Sequence, residues 1–113
     1  MPARALFLAV LAGATLPVHA QEATGSELFV RVDKGYCIAC HQLPPAAGAP
    51  TRSDLGPALA GARMRELGKP RLRELIHDPT QSNPATVMPP YGRHDILDAR
   101  EIQLLADFLH ALP

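Results

Sequence analysis

"GYCIACH", Gly35 to His41, holds the only two cysteines of the chain, three residues apart, with a histidine directly after the second. How this stretch is read decides the fold. Three chemistries use such a spacing: a redox dithiol, part of a zinc site, and covalent attachment of haem. A redox C-x-x-C needs a depressed thiol pKa, usually at a helix N-terminus in a βαβ setting. No stretch of this chain shows convincing strand alternation. Zinc needs further ligands, yet there is no second C-x-x-C, and adjacent Cys40 and His41 cannot easily bind one ion. Haem gives every residue a task. Cys37 and Cys40 add to the two vinyl groups on one porphyrin edge, and His41 falls beneath the iron as proximal ligand. The stretch is read as the attachment site of one covalent haem c.

A six-coordinate iron needs a second axial ligand. The candidates are Met64, Met88, His77, His94 and His110. Met88 is favoured by its setting, "TVMPPYG", because two prolines hold the chain extended and stiff behind the thioether. Met64 falls in an expected helix between Arg63 and Arg65. His77 and His110 end expected helices, where a positive charge is mildly favourable without further function. His/Met ligation raises the potential relative to His/His and leaves no position open to a substrate. It points to electron transfer. In "DLGPALAG" the Pro57 carbonyl is expected to accept the Nδ1–H of His41 and fix its ring. Arg93 and His94 are candidates for pairing with the haem propionates, or form a solvated surface pair.

The chain has 113 residues, enough for one small domain. Its first twenty read as a secretory leader: Arg4, an uncharged apolar run from Ala5 to Leu16, Pro17, and small residues before a cut after Ala20. Twelve apolar residues are too few to span a membrane, which takes about 20. The domain is therefore residues 21–113, in an oxidising compartment, the periplasm, where c-type haem is attached. Without Arg4 it carries ten Lys/Arg against eleven Asp/Glu, with no basic block for nucleic acid and no second apolar run for a membrane anchor. It has no Trp and only two Tyr. Chains this small often complete their core with a cofactor.

The expected class is all-α. Ser26 is expected to cap a helix over residues 27–34, with Leu28, Phe29 and Val32 on one side and Gly35 at its end. The stretch from Leu43 to Gly61, with Pro44, Pro45, Pro50 and Pro57, reads as loop. Helix resumes near 62–67 and again over 70–77, where Leu72, Leu75 and Ile76 form a stripe. Asp78-Pro79 stops it. After a second loop, Asp98 and Glu101 spell a capping box ahead of Ile102, Leu105, Phe108, Leu109 and Leu112.

The order C-x-x-C-H, G-P-x-L-x-G (Gly56 to Gly61), M-P and a terminal apolar helix resembles the class I c-type cytochromes from Leu28 to Leu112. The resemblance implies short helices and proline-rich loops around one haem, with the first and last helices crossing beside its edge. A narrower likeness lies in "KGYCIACHQLP", "DLGPALAGARMR", "LRELIHDPTQSNPATVMPPYG" and "EIQLLADFL", which resemble the SoxX subunits of SoxAX sulfur-oxidation cytochromes. The run from Asp78 to Gly92 is its most specific part. It implies a periplasmic monohaem subunit paired with a SoxA-type monohaem or dihaem cytochrome. The partner's haem joins thiosulfate to a carrier-protein cysteine, and SoxX passes the electrons to a downstream cytochrome, with no substrate chemistry at its own iron. Carried over, Cys37 and Cys40 hold the haem and His41 and Met88 are its axial ligands. The competing expectation is a free small cytochrome shuttling electrons between periplasmic oxidoreductases.

Overall fold

The computed structural model describes residues 1–2, 13–18, 20–48 and 53–113. Most of the expected leader's apolar run, and Ala49 to Arg52 of the first proline-rich loop, lie outside the described residues. Among the described residues there are four α-helices and no strand: α1 Gly25–Val30, α2 Gly61–Leu67, α3 Lys69–His77 and α4 Ala99–His110. Short 3-10 turns punctuate the loops.

α4 organises the core. Asp98 and Glu101 form the expected capping box, each side chain accepting from the other's backbone N–H, at 2.8 and 3.0 Å. Such a cap contributes about 1 kcal/mol. Ile102, Leu105, Ala106 and Leu109 are buried on one face, and Leu112 continues the stripe past the helix end. α1, α2 and α3 all pack on this helix. Phe108 is half-buried and meets Phe29 of α1 with ring centroids 5.8 Å apart at 60°, a tilted geometry that aromatic pairs favour.

α1 differs from expectation at both ends. Its cap is Thr24, not Ser26: the Thr24 hydroxyl accepts from the Glu27 N–H, and the Glu27 carboxylate accepts from the Thr24 N–H at 2.7 Å. The cap is an S/T-x-x-E box set two residues earlier. Starting earlier buries Gly25 against α4, where a Cβ would stand 2.3 Å from the Leu104 carbonyl oxygen. The helix then breaks at Arg31, which is extended, and a separate 3-10 turn covers Val32–Lys34. The break swings Val32 out of the stripe, leaving it 75% exposed, while Leu28 and Phe29 stay buried.

α2 and α3 begin one residue ahead of expectation and meet at Gly68, whose φ of 79° only glycine adopts freely. Leu72 and Ile76 are buried and Leu75 is half-buried. Two bonds tie α2 to the segment after α4: the Gly61 N–H donates to the Pro113 carbonyl at 3.0 Å, and Arg65 Nη1 donates to the Leu112 carbonyl at 2.6 Å. A Lys69–Asp107 ion pair at 2.9 Å joins α3 to α4. The first long loop returns alongside the cysteine segment, with the Gly56 N–H donating to the Cys40 carbonyl and the Leu59 N–H to that of Gln42, each at 2.8 Å. No helix among the described residues is long and apolar enough to cross a membrane.

Candidate haem site

The cysteine segment is a 3-10 turn. Cys37–Ala39 form it, the Cys40 N–H closes it on the Cys37 carbonyl at 3.2 Å, and the His41 N–H reaches the same carbonyl at 3.0 Å. Side chains at i and i+3 of such a turn eclipse, so Cys37 and Cys40 share one side. Both are half-buried free thiols with no disulfide between them. Burial pushes the Cys37 thiol up to about 11. A redox dithiol needs the opposite shift. Among the described residues no cluster of three His, Cys, Asp or Glu side chains could hold a metal ion.

His41 follows with its ring fixed from one side. Its Nδ1 lies 2.7 Å from the Pro57 carbonyl oxygen. With Nδ1–H donating there, Nε2 keeps its lone pair for a metal. The loop is shaped around the ring: a Cβ at Gly56 would stand 2.6 Å from His41 Cε1.

Met88 is half-buried against the core, in a loop closed at its base. The His77 carbonyl accepts from the N–H groups of Gly92 and Arg93, each at 3.1 Å. Beside it, the buried Asp78 carboxylate accepts from the Thr80 hydroxyl and N–H, from Gln81 Nε2 at 3.0 Å and from Arg93 Nη1 at 3.1 Å. These bonds, led by the Thr80 hydroxyl and Gln81, hold the carboxyl down at about 2. Inside the loop the Met88 N–H donates to Thr86 Oγ1 at 3.1 Å. Three residues on, Tyr91 is buried and its hydroxyl donates to the Gly35 carbonyl at 2.9 Å. The methionine loop is thereby fastened to the residues just ahead of Cys37. Burial raises the Tyr91 pKa, so the phenol stays a donor.

Of the other candidates, Met64 is a core residue, 4% exposed. His77 packs its ring against Gly92, His94 is exposed, and His110 sits half-buried in the last turn of α4. Arg93, a candidate for the propionates or for a solvated surface pair, has its Nη1 engaged by Asp78. Sequence reasoning missed Asp78 and Tyr91. Tyr91 left a signal, as one of only two tyrosines, set between two prolines and a glycine.

The residues present fit a haem. Thiols on one side of a turn, an oriented imidazole and a half-buried thioether form the donor set. Large apolar side chains beside it lie open, Leu55 next to Gly56 at 71% exposed and Val87 next to Met88 at 84%. A flat apolar ligand gives such side chains a partner.

Short helices wrapped around a C-x-x-C-H turn, with the first packed on the last, define a class I c-type cytochrome. Residues 20–109 match the cytochrome c family described as "Cytochrome C oxidase, cbb3-type, subunit III", and the chain belongs to that family. A solved structure described as "Crystal structure of SoxXA from P. pantotrophus" matches with a TM-score of 0.65 at 21% identity, over 77% of this chain and 77% of that one. At that identity the likeness is one of fold. No curated protein matches the chain. The family makes the chain an electron-transfer cytochrome, and its fold is like that of the SoxXA structure.

Proposed function

We propose that the chain is a periplasmic monohaem cytochrome c, exported by a leader over residues 1–20. Its role is the electron-transfer subunit of a SoxAX-type complex that oxidatively couples thiosulfate to a carrier-protein cysteine. The observation that carries the haem reading is the His41 ring, held at 2.7 Å by the Pro57 carbonyl with Nε2 left for a metal. The sulfur-oxidation reading rests on the Asp78 to Gly92 run, supported by a fold like that of SoxXA.

Cys37 and Cys40 would hold the haem by thioether bonds, and His41 Nε2 and the Met88 sulfur would ligate its iron. Bound haem supplies a one-electron couple whose potential His/Met ligation raises. With both ligands supplied by the chain the iron would offer no position to a substrate, so the sulfur chemistry would belong to the partner. Pro57 keeps the His41 tautomer and ring angle fixed. The partner is a SoxA-type cytochrome, and the electrons pass on to an acceptor cytochrome.

Co-expression with a SoxA-type subunit and the haem-attachment machinery tests this. The expected product is a stable heterodimer whose chain from this sequence carries one covalent haem by pyridine haemochrome. A haem-loaded chain that stays monomeric beside that partner would favour the free shuttle. A chain without covalent haem removes both readings.

A further inference from the structure

We propose that Tyr91 is a positioning residue for Met88, a latch that holds the methionine loop onto the C-x-x-C-H segment. The proposal rests on Met88 being the second axial ligand.

The latch is built from both sides. The Tyr91 hydroxyl donates to the Gly35 carbonyl at 2.9 Å, across 56 residues of sequence. Its ring lies on Gly35, where a Cβ would stand 2.8 Å from Tyr91 Cε1 and where φ is 97°. Only glycine fits that surface and that backbone together. Tyr91 is itself anchored from behind, its carbonyl accepting from the N–H groups of Ile96 at 2.9 Å and Leu97 at 3.1 Å. Gly35 is two residues before Cys37, and Tyr91 three after Met88.

Between Met88 and Tyr91 stand only Pro89 and Pro90, whose rings fix φ. A stiff dipeptide transmits the position of Tyr91 to Met88. The Thr86 hydroxyl, accepting from the Met88 N–H, fixes the other side. The clamp at His77 and Asp78 holds the base of the loop to α3, but it does not reach the cysteine turn. Tyr91 makes that second connection, so it sets how firmly Met88 is held relative to the cysteine turn.

The test is competition for the sixth position. The oxidised holoprotein is titrated with imidazole, and the methionine-to-iron charge-transfer band is followed in wild type, Tyr91→Phe, Tyr91→Leu and Met88→Ala. Tyr91→Phe removes only the hydroxyl. Imidazole should bind it about fivefold more tightly than wild type, the worth of one hydrogen bond. Tyr91→Leu, which also loses the ring contact, should shift further. A Tyr91→Phe protein that melts earlier yet binds imidazole as wild type does would overturn the latch and leave Tyr91 a packing residue. A wild type without the band, or a Met88→Ala protein with wild-type imidazole affinity, overturns the ligand assignment and the latch with it. A wild type with the band and both tyrosine variants unchanged overturns the latch alone.

Discussion

Met88 is held by its own backbone N–H, by the prolines behind it and by contact with the core, not by its side chain alone. Replacing it with alanine should therefore leave the loop in place and remove only the thioether. We expect Met88→Ala to lose the charge-transfer band completely and to lower the reduction potential by on the order of 100 mV, a modest share of the range axial ligands command. Potentiometry with optical detection measures both, and an unchanged potential with an unchanged band would defeat the assignment. At this scale the sequence was informative where a residue's chemistry is peculiar to it. The C-x-x-C-H spacing singles out three residues, and a proline that offers a carbonyl but no N–H pointed to the contact with His41. Asp78 was not legible as a clamp, and the setting of Tyr91 marked the residue without showing its partner. The Asp78–Arg93 and Tyr91–Gly35 bonds span 15 and 56 residues, and no local spacing encodes those pairings.

The loop from Asp78 to Arg93 behaves as an element in its own right, because one buried carboxylate gathers its base. Asp78 titrates at about 2 in the folded chain, below its ordinary 3.8. Between those values the unfolded chain binds more protons than the folded one, so stability falls as the pH falls. The contribution of Asp78 is present in full above about pH 4 and is lost on acidification toward pH 2. Denaturant unfolding of wild type and Asp78→Asn across that window should give a steeper acid loss in wild type. Parallel slopes would mean the carboxylate does not govern the loop. Glu22, Glu27 and Asp33 are also lowered by their partners, which is why the difference between the two proteins is the quantity to read. Among the helices, α2, α3 and the start of α4 were legible to within a residue, because proline, glycine and a capping box mark those limits. α1 was misread because Thr24 and Ser26 are both competent caps, and the choice was made by Gly25 fitting against the Leu104 carbonyl.

Across the whole molecule, the all-α class was legible from the absence of strand alternation and from the apolar stripes. The arrangement of the loops was not, since their bonds run to distant segments. Those loops bury Leu59, Tyr91 and Leu97 but leave Leu55 and Val87 open, and ordering each residue costs about 1–2 kcal/mol. We expect the chain without haem to be largely unfolded, with weak far-UV circular dichroism and collapsed amide dispersion. A cooperative, well-dispersed haem-free state would contradict this. The packing of α1 on α4 also imposes an order in time. α4 follows every other described element in the sequence, so a chain that emerges N-terminus first cannot close its core until α4 arrives to receive α1. Until then the two thiols, which closure half-buries, stay open to the enzymes that modify them. The topology thus supplies a delay during which the prosthetic group can be joined before the chain shuts around it.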